Sequence, residues 1–154
     1  MRRVLFVCLG NICRSPLAEA IFKHKVRELG LQAEFEADSC GTANYHIGDT
    51  PDPRTVKNAR KNGVEIQHFG RQLSRQDLSE FDYVLAMDKS NFNHILRLAD
   101  ESTRDRVFLL RSFDSLPGEE VPDPYYGHED DFQNVFEMLD KSLDSFIDHL
   151  RKNH

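Results

Sequence analysis

The sequence predicts an α/β protein with a doubly wound, flavodoxin-like sheet of four parallel strands and helices on both faces. Short apolar runs alternate along the chain with segments of helical periodicity, which is typical of parallel sheets. The first run, residues 4–7, contains no polar side chain, as expected for a strand covered on both faces. The length of 154 residues suits one core, so residues 1–154 are expected to form a single domain.

The amino-terminal half is predicted to contain two strands and two helices. The strands cover residues 4–7 and 34–39. The first helix is expected to begin at Ser15-Pro16 and to end at Gly30. Proline suits the first turn because an N–H at that position has no partner within the helix. A second helix is expected to open at Thr50-Pro51 and to end at Gly63.

The carboxyl-terminal half is predicted to add two strands and three helices. The strands are residues 83–87 and 107–110, and a short helix capped by Ser74 and Asp77 precedes them. The next helix has its apolar positions at i, i+3, i+4 and i+7: Phe92, Ile95, Leu96 and Ala99. Residues 112–128 have no periodicity and are expected to form a long loop.

The last helix has the clearest pattern in the sequence. Its apolar stripe comprises Phe132, Val135, Phe136, Leu139, Leu143, Phe146, Ile147 and Leu150. Acidic residues precede this stripe and basic residues follow it, and both arrangements favour the helix dipole.

Composition limits the possible partners and location. Twenty Lys and Arg against 26 Asp and Glu give a net charge of -6, which argues against nucleic acid or an anionic membrane as the main partner. The apolar run near the amino terminus is too short for a signal peptide, and no later segment has the length of a membrane span. Three cysteines do not make a disulfide framework, so a cytoplasmic location is expected.

The stretch V-C-L-G-N-I-C-R-S-P, residues 7–16, is the first candidate for a catalytic site. Cys8 precedes Arg14 by six positions, with a predicted strand before them and a helix after. A loop of this length can direct its N–H groups at one anion, while a guanidinium holds two phosphoryl oxygens. The same positive field favours the nucleophilic thiolate of Cys8, and Ser15 could donate a hydrogen bond to it. Cys8 as a small buried residue is the simpler alternative.

Asp123 is the candidate proton donor for such a nucleophile. It lies between two prolines in V-P-D-P-Y-Y-G, in the connection that follows the fourth predicted strand. Thiolate attack on a phosphate ester requires an acid for the departing oxygen and a base for water. Taken alone, Asp123 would be an ordinary turn residue.

Motifs along the whole chain resemble the low-molecular-weight protein tyrosine phosphatases. They are V-C-L-G-N-I-C-R-S-P-L-A-E, D-S-C-G-T, P-D-P-R, F-D-Y-V-L-A-M-D and D-P-Y-Y-G. The form D-P-Y-Y-G-x-x-x-D-F is more similar to prokaryotic members. The resemblance implies hydrolysis of protein phosphotyrosine without cofactor or metal, with phosphotyrosine proteins as partners and a cognate tyrosine kinase as a further candidate.

The resemblance also implies roles for individual residues. Cys8 would attack phosphorus, Arg14 would stabilise the transition state, and Asp123 would act as general acid and base. The phosphate-binding loop would comprise Leu9, Gly10, Asn11, Ile12, Cys13 and Arg14. A supporting hydrogen-bond network would comprise Asn11, Ser15, Ser39 and His68. The walls of the substrate cleft would be formed by Tyr45, His46, Tyr125 and Tyr126. His68 by itself would be a structural or solvated histidine, and many relatives have Asn where His46 stands.

Cys13 is implied by the same resemblance to be a redox partner that forms a reversible disulfide with Cys8. Cys40 is expected to be a small buried residue. Two other functions share parts of this pattern. A thioredoxin-coupled arsenate reductase would need further cysteines, and none follows Cys40. A phosphate-binding or redox-sensing module would not need a positioned acid such as Asp123.

Overall fold

The computed structural model describes residues 1–114 and 120–153. Its sheet has four parallel strands in the order β2-β1-β3-β4, so the chain begins at a central strand and moves outward in both directions. The strands are β1 Arg2–Cys8, β2 Phe35–Gly41, β3 Tyr83–Ala86 and β4 Val107–Leu109. The helices are α1 Arg14–Glu28, α2 Pro53–Lys61, α3 Arg75–Glu80, α4 Lys89–Leu98 and α5 Glu129–Lys152.

The two faces of the sheet carry separate apolar clusters, which confirms the predicted doubly wound α/β fold. Alternate residues of β1 point to opposite faces. Val4 and Phe6 join the cluster that contains the buried sides of α1 and α5, including Phe22 and Phe146. The opposite cluster packs α3 and α4 against the sheet and includes Leu5, Val7, Val84, Leu78 and Ile95.

This topology positions the site because parallel strands end at one common edge. The order reverses direction at β1, and in such sheets ligands bind beyond the carboxyl ends of the strands near that point. β1 ends at Cys8, where it pairs with Gly41 at the end of β2. The segment between β1 and α1 therefore starts near the centre of the edge where ligands bind in such sheets.

The prediction that a helix opens at Thr50-Pro51 is wrong, because α2 begins at Pro53. A residue before proline is disfavoured in the helical region, and Asp52 has φ -53° and ψ 128°. The Asp52 side chain instead caps the helix by accepting a hydrogen bond of 2.9 Å from the Arg54 N–H.

The predicted loop over 112–128 differs from the structure at its start. A 3₁₀ turn, Leu110–Phe113, occupies its first two positions, while residues 115–119 of the prediction lie outside the described residues. From residue 120 to α5 the chain is irregular, as expected. Among residues 1–114 and 120–153, no helix has both the length and the apolar character that crossing a bilayer requires.

Candidate active site

The segment from Cys8 to Arg14 forms a tight loop between β1 and α1, here called the nucleophile loop. Asn11 adopts a left-handed conformation with φ 57°, which asparagine tolerates better than most residues and which reverses the chain direction. The Asn11 N–H then points back to Cys8 and lies 3.3 Å from its Sγ. The curl predicted from the sequence is therefore present in the structure.

The carbonyl groups of the nucleophile loop accept hydrogen bonds from the surrounding chain. Those of Cys8 and Leu9 accept from the N–H groups of Thr42 and Ala43, at 2.9 and 3.0 Å, and that of Ile12 accepts from Asp52 at 2.8 Å. With its carbonyls fixed outward, the loop can direct N–H groups towards an anion.

Gly41 leaves room for this close approach of β2 to the loop. A Cβ at position 41 would lie 2.7 Å from the carbonyl oxygen of Leu9 and 3.2 Å from the backbone nitrogen of Asn11. Because both neighbours are backbone atoms, neither can move without distorting the nucleophile loop.

A buried hydrogen-bond network surrounds the sulfur of Cys8. The Ser15 Oγ lies 3.0 Å from Cys8 Sγ, and the Asn11 Nδ2 donates to the hydroxyl oxygens of Ser15 and Ser39 at 2.8 and 3.1 Å. Since each serine oxygen accepts from the amide, its own hydrogen is free to be donated. Ser15 can therefore donate to a Cys8 thiolate.

His68 extends the network, although sequence reasoning from this residue alone favoured a structural or solvated histidine. Its Nε2 lies 2.7 Å from Asn11 Oδ1, which can only accept, so Nε2 carries the hydrogen. Its other ring nitrogen, Nδ1, faces carboxylate oxygens of Glu19 and Asp38 at 3.3 and 3.6 Å. Burial lowers the pKa of His68, while the charges of Glu19 and Asp38 oppose that effect.

Arg14 is 3% exposed and is held at the carboxyl edge of the sheet. Its guanidinium pairs with Asp88 at 2.7 Å and donates to the carbonyl of Val121 at 3.0 Å. Burial opposes its charged form, but Cys8, Asp88 and Asp123 raise the pKa of Arg14 above its ordinary value. The guanidinium is therefore a fixed positive charge beside the thiol.

Asp123 reaches this centre from the segment before α5. Its Oδ2 lies 3.6 Å from Arg14 Nη2, and its Oδ1 accepts a hydrogen bond of 3.1 Å from the Tyr125 N–H. Its side chain is 43% exposed, so it can exchange protons with solvent. The structure thus brings the Cys8 thiol, the Arg14 guanidinium and the Asp123 carboxyl group together, as the sequence-based hypothesis requires.

A cleft of about 270 Å³ opens over these groups. Apart from Asn11, its lining includes the residues of the nucleophile loop, from Cys8 to Arg14, together with Asp123, Tyr45, His46, Tyr125 and Tyr126. Tyr45 is 69% and Tyr126 95% exposed, so both rings stand at the rim. All four side chains expected at the walls therefore border the cleft, with Ser15, Ser39 and His68 behind the loop.

The two remaining cysteines are buried. Burial raises the pKa of Cys13 to about 12, so its thiol is protonated at neutral pH. Cys40 is fully buried at the end of β2, as expected, and burial also raises its pKa. Both remain free thiols in this structure.

Three residues of the site were not predicted from the sequence: Asp88, Glu19 and Arg54. Asp88 follows β3 at the ligand-binding edge, a position that could have identified it as a partner of Arg14. Glu19 accepts a hydrogen bond of 2.7 Å from Ser39. Arg54 pairs with Asp52 at 2.8 Å and donates to the Tyr125 carbonyl at 2.9 Å. Glu19 and Arg54 are the last residues of the motifs V-C-L-G-N-I-C-R-S-P-L-A-E and P-D-P-R, but no role was predicted for either of them.

Comparisons with known proteins agree with this geometry. Residues 3–154 match the family model for low molecular weight phosphotyrosine protein phosphatase. The Schizosaccharomyces pombe protein of that name is 46% identical over 148 residues, 94% of each chain. A protein tyrosine phosphatase structure from Entamoeba histolytica superposes with a TM-score of 0.96 at 36% identity, covering 99% of both chains.

A more distant structural neighbour is the YwlE arginine phosphatase of Bacillus subtilis. It superposes with a TM-score of 0.90 at 27% identity, covering 99% of this chain and 97% of its own. The matches along the full length confirm the predicted fold and the predicted enzyme class, a protein tyrosine phosphatase. The chain belongs to the low molecular weight phosphotyrosine protein phosphatase family.

Proposed function

We propose that residues 1–154 form one phosphatase domain that hydrolyses protein phosphotyrosine through a phosphocysteine intermediate. The observation that carries this proposal is the convergence of Cys8, Arg14 and Asp123 on one cleft. Each group has the chemistry that one step of the reaction requires. Cys8 and Arg14 come from the nucleophile loop, and Asp123 comes from the distant segment before α5.

In the first step the Cys8 thiolate attacks phosphorus while the bond to the tyrosyl oxygen breaks. The hydrogen bond from Ser15 and the charge of Arg14 stabilise the thiolate before attack. Asp123 gives its proton to the departing phenolate oxygen, so neutral tyrosine leaves. Cys8 then carries the phosphoryl group and Asp123 is a carboxylate.

In the second step water attacks the phosphocysteine. The Asp123 carboxylate takes a proton from that water, the bond between sulfur and phosphorus breaks, and inorganic phosphate leaves. The cycle ends with the thiolate and the protonated acid restored.

This reaction needs no metal or other cofactor, because the protein itself neutralises the transferred group. The backbone N–H groups of the loop would bind the phosphoryl oxygens, and Arg14, fixed by Asp88, would bind two of them through its guanidinium. The loop residues in these contacts are Leu9, Gly10, Asn11, Ile12, Cys13 and Arg14. The network of Asn11, Ser15, Ser39 and His68 would keep the loop in shape.

The cleft walls favour an aromatic phosphate ester. The rings of Tyr125 and Tyr126 pack edge to face with centroids 4.9 Å apart, and Tyr45 and His46 line the cleft as well. A phenyl ring can pack between such walls. The thiol of Cys8, 3% exposed, would then be reached by phosphotyrosine and not by the shorter phosphoserine.

The decisive measurement is turnover on peptides of matched sequence that carry phosphotyrosine, phosphoserine or phosphoarginine, with and without EDTA. We expect phosphotyrosine to be cleaved about a hundredfold faster or more, and this activity to be retained in EDTA. Phosphoarginine is included because a structural neighbour is an arginine phosphatase. Faster cleavage of phosphoarginine, or activity lost with EDTA, would contradict the proposal.

A variant test addresses the nucleophile. Cys8→Ser should abolish turnover while the folded protein still binds inorganic phosphate, because a serine hydroxyl is not ionised at neutral pH. Cys40→Ala is the matched control. Because Cys40 is buried at the end of β2, this variant should remain active. Turnover by Cys8→Ser near that of the unchanged protein would remove Cys8 from the mechanism.

Cys13 is proposed to protect Cys8 against irreversible oxidation. Peroxide would oxidise the Cys8 thiolate to a sulfenic acid, and the Cys13 thiol would condense with it, forming a disulfide and releasing water. Both residues line the same cleft, which supports this pairing. A thiol reductant would restore both residues.

Three expectations stay predictions: a cognate tyrosine kinase as partner, a cytoplasmic location and a greater similarity to prokaryotic members. The compared relatives come from both eukaryotes and a bacterium. Co-purification of a tyrosine-phosphorylated kinase with the Cys8→Ser variant would test the first, because that variant would bind the substrate without releasing product.

A further inference from the structure

We propose that Glu19, Asp38 and His68 form a binding site for a zinc ion, separate from the catalytic cleft. Their nearest ligand atoms all lie within 4.8 Å of one another. His68 Nδ1 is 3.3 Å from Glu19 Oε1 and 3.6 Å from Asp38 Oδ1. Ligands bound tetrahedrally to zinc at 2.0–2.2 Å are about 3.4 Å apart, so the two distances from His68 Nδ1 are already close to the required spacing.

The imidazole is oriented as in a metal-binding histidine. Its Nε2–H donates to Asn11 Oδ1 at 2.7 Å, which leaves the Nδ1 lone pair directed at the two carboxylates. Histidine ligands of metal ions usually donate their other ring hydrogen to an oxygen in this way, which fixes the tautomer and the ring orientation.

The two carboxylates are also oriented by partners outside the site. Lys23 Nζ contacts Glu19 Oε2 at 2.5 Å, and Arg71 Nε contacts Asp38 Oδ2 at 2.9 Å. Each cation therefore holds the outer oxygen, and Glu19 Oε1 and Asp38 Oδ1 face His68. Glu19 Oε1 also accepts a hydrogen bond of 2.7 Å from Ser39, which leaves a second lone pair of that oxygen for an ion. The charges of the two cations also offset those of the carboxylates, so we expect weaker affinity than a structural zinc site would have.

An ordinary ion pair explains the cluster less well. Charge-assisted N–H···O bonds are typically 2.7–2.9 Å long, whereas both contacts of Nδ1 exceed 3.2 Å. The His68 and Glu19 side chains are 7% and 5% exposed, but Asp38 is 38% exposed. Asp38 therefore provides the route from solvent and room for water as the fourth ligand.

An ion at this site would act on the nucleophile loop through His68. The hydrogen bond from Nε2 to Asn11 Oδ1 joins the site to the residue that contacts both Ser15 and Cys8. An imidazole held by the ion would restrict the movement of the Asn11 side chain and therefore of the nucleophile loop. The site would thus link zinc availability to the shape of the loop.

Titration calorimetry with Zn²⁺ tests the site in the Cys8→Ser variant, because a Cys8 thiolate is itself a zinc ligand. We expect one ion per chain in that background. Adding Asp38→Asn should weaken binding at least about tenfold, and adding His68→Gln should weaken it as much or more. Circular dichroism verifies that each variant is folded, and the half-exposed Asp38 keeps the test valid if His68→Gln does not fold.

The matched control is His24→Gln. His24 forms an exposed pair with Glu28 at 2.8 Å, and it is not part of the cluster. Zinc affinity should not change in this variant. Absence of saturable zinc binding, or affinity unchanged by Asp38→Asn, overturns the proposal. Because binding is measured without turnover, failure here is distinguishable from failure of the proposed phosphatase mechanism.

Discussion

Asp123 combines an exposed carboxyl group with a fixed position 3.6 Å from the guanidinium of Arg14. Asp123→Asn preserves its size and its hydrogen bond from the Tyr125 N–H but removes the transferable proton. We expect kcat on a phosphotyrosine peptide to fall about 10²- to 10⁴-fold. The loss should be much smaller for a nitrophenyl phosphate, whose leaving group needs little protonation.

The comparison of the two substrates in steady-state assays checks this role. Asp130→Asn, an acid in the first turn of α5, serves as control and should cost little on either substrate. Equal losses on both substrates in Asp123→Asn would show that this carboxylate does not protonate the leaving group.

The burial of Cys13 predicts that its reaction with oxidised Cys8 depends on pH. With its pKa raised to about 12 by burial, its thiolate fraction is small at neutral pH and rises about tenfold per pH unit below that value. Once excess peroxide has oxidised Cys8, the rate of disulfide formation should therefore increase about tenfold from pH 7 to pH 8. Mass spectrometry of quenched samples measures it.

The control for this prediction is Cys13→Ala, in which Cys8 should proceed to sulfinic acid with no intramolecular bridge. A rate of bridge formation that is independent of pH between 7 and 8 would contradict the buried, protonated state of Cys13.

At the scale of elements, the start of α2 connects the nucleophile loop to the segment that carries Asp123. Asp52 donates its N–H to the Ile12 carbonyl and pairs with Arg54, whose charge and hydrogen bonds lower the pKa of Asp52 although burial opposes this. The Arg54 guanidinium donates a hydrogen bond to the Tyr125 carbonyl. It also lies 5.4 Å from the centroid of the Tyr125 ring and 4.7 Å from the centroid of the Phe132 ring.

Arg54→Gln should therefore displace the carboxyl group of Asp123, although it leaves that residue unchanged. Since a displacement of about 1 Å can cost up to a hundredfold in rate, we expect kcat on phosphotyrosine to fall about tenfold or more. Activity on a nitrophenyl phosphate should fall less, as in Asp123→Asn. Arg60→Gln is the matched control, because Arg60 lies on the same helix in an exposed pair with Glu65. Equal effects of the two variants would exclude a positioning role for Arg54.

Across the whole molecule, the features that could be predicted are those set by residues close together in the sequence. The four strands follow from apolar runs, and the proposed roles of Cys8 and Arg14 follow from a short motif between β1 and α1. The start of α2 was misplaced because both Thr50-Pro51 and Asp52-Pro53 offer a helix start, and only the Asp52 cap with its tertiary bond to Ile12 selects the second.

Two long-range contacts of the site did not follow from the local pattern of the sequence. Asp88 meets Arg14 only because β3 lies beside β1 in the sheet, a separation of 74 positions along the chain. His68 meets Asn11 across 57 positions, through a segment without regular structure, and only the family resemblance had placed these two residues in one network. Such contacts depend on the order of strands and on loop paths, which hydrophobic periodicity does not encode.

Linkage between the core and the site provides the last prediction. Leu78, 1% exposed, packs in the cluster on the face of the sheet opposite α1 and α5. Leu78→Ala should lower the free energy of unfolding by about 2–5 kcal/mol. We expect inorganic phosphate to bind only the folded protein, so at a hundred times its Kd it should add about 2.7 kcal/mol to the free energy of unfolding. Leu78 belongs to a different cluster from Cys8, so this gain should be the same in Leu78→Ala and in the unchanged protein.

Denaturant unfolding with and without phosphate measures both quantities. Arg14→Lys, which loses the planar fork for phosphoryl oxygens, should reduce the gain from phosphate at the same concentration. A gain that persists in full in Arg14→Lys would place the phosphate elsewhere on the protein. A gain that disappears in Leu78→Ala would show that the shape of the nucleophile loop depends on packing across both faces of the sheet, and would contradict the independence argued from the two clusters.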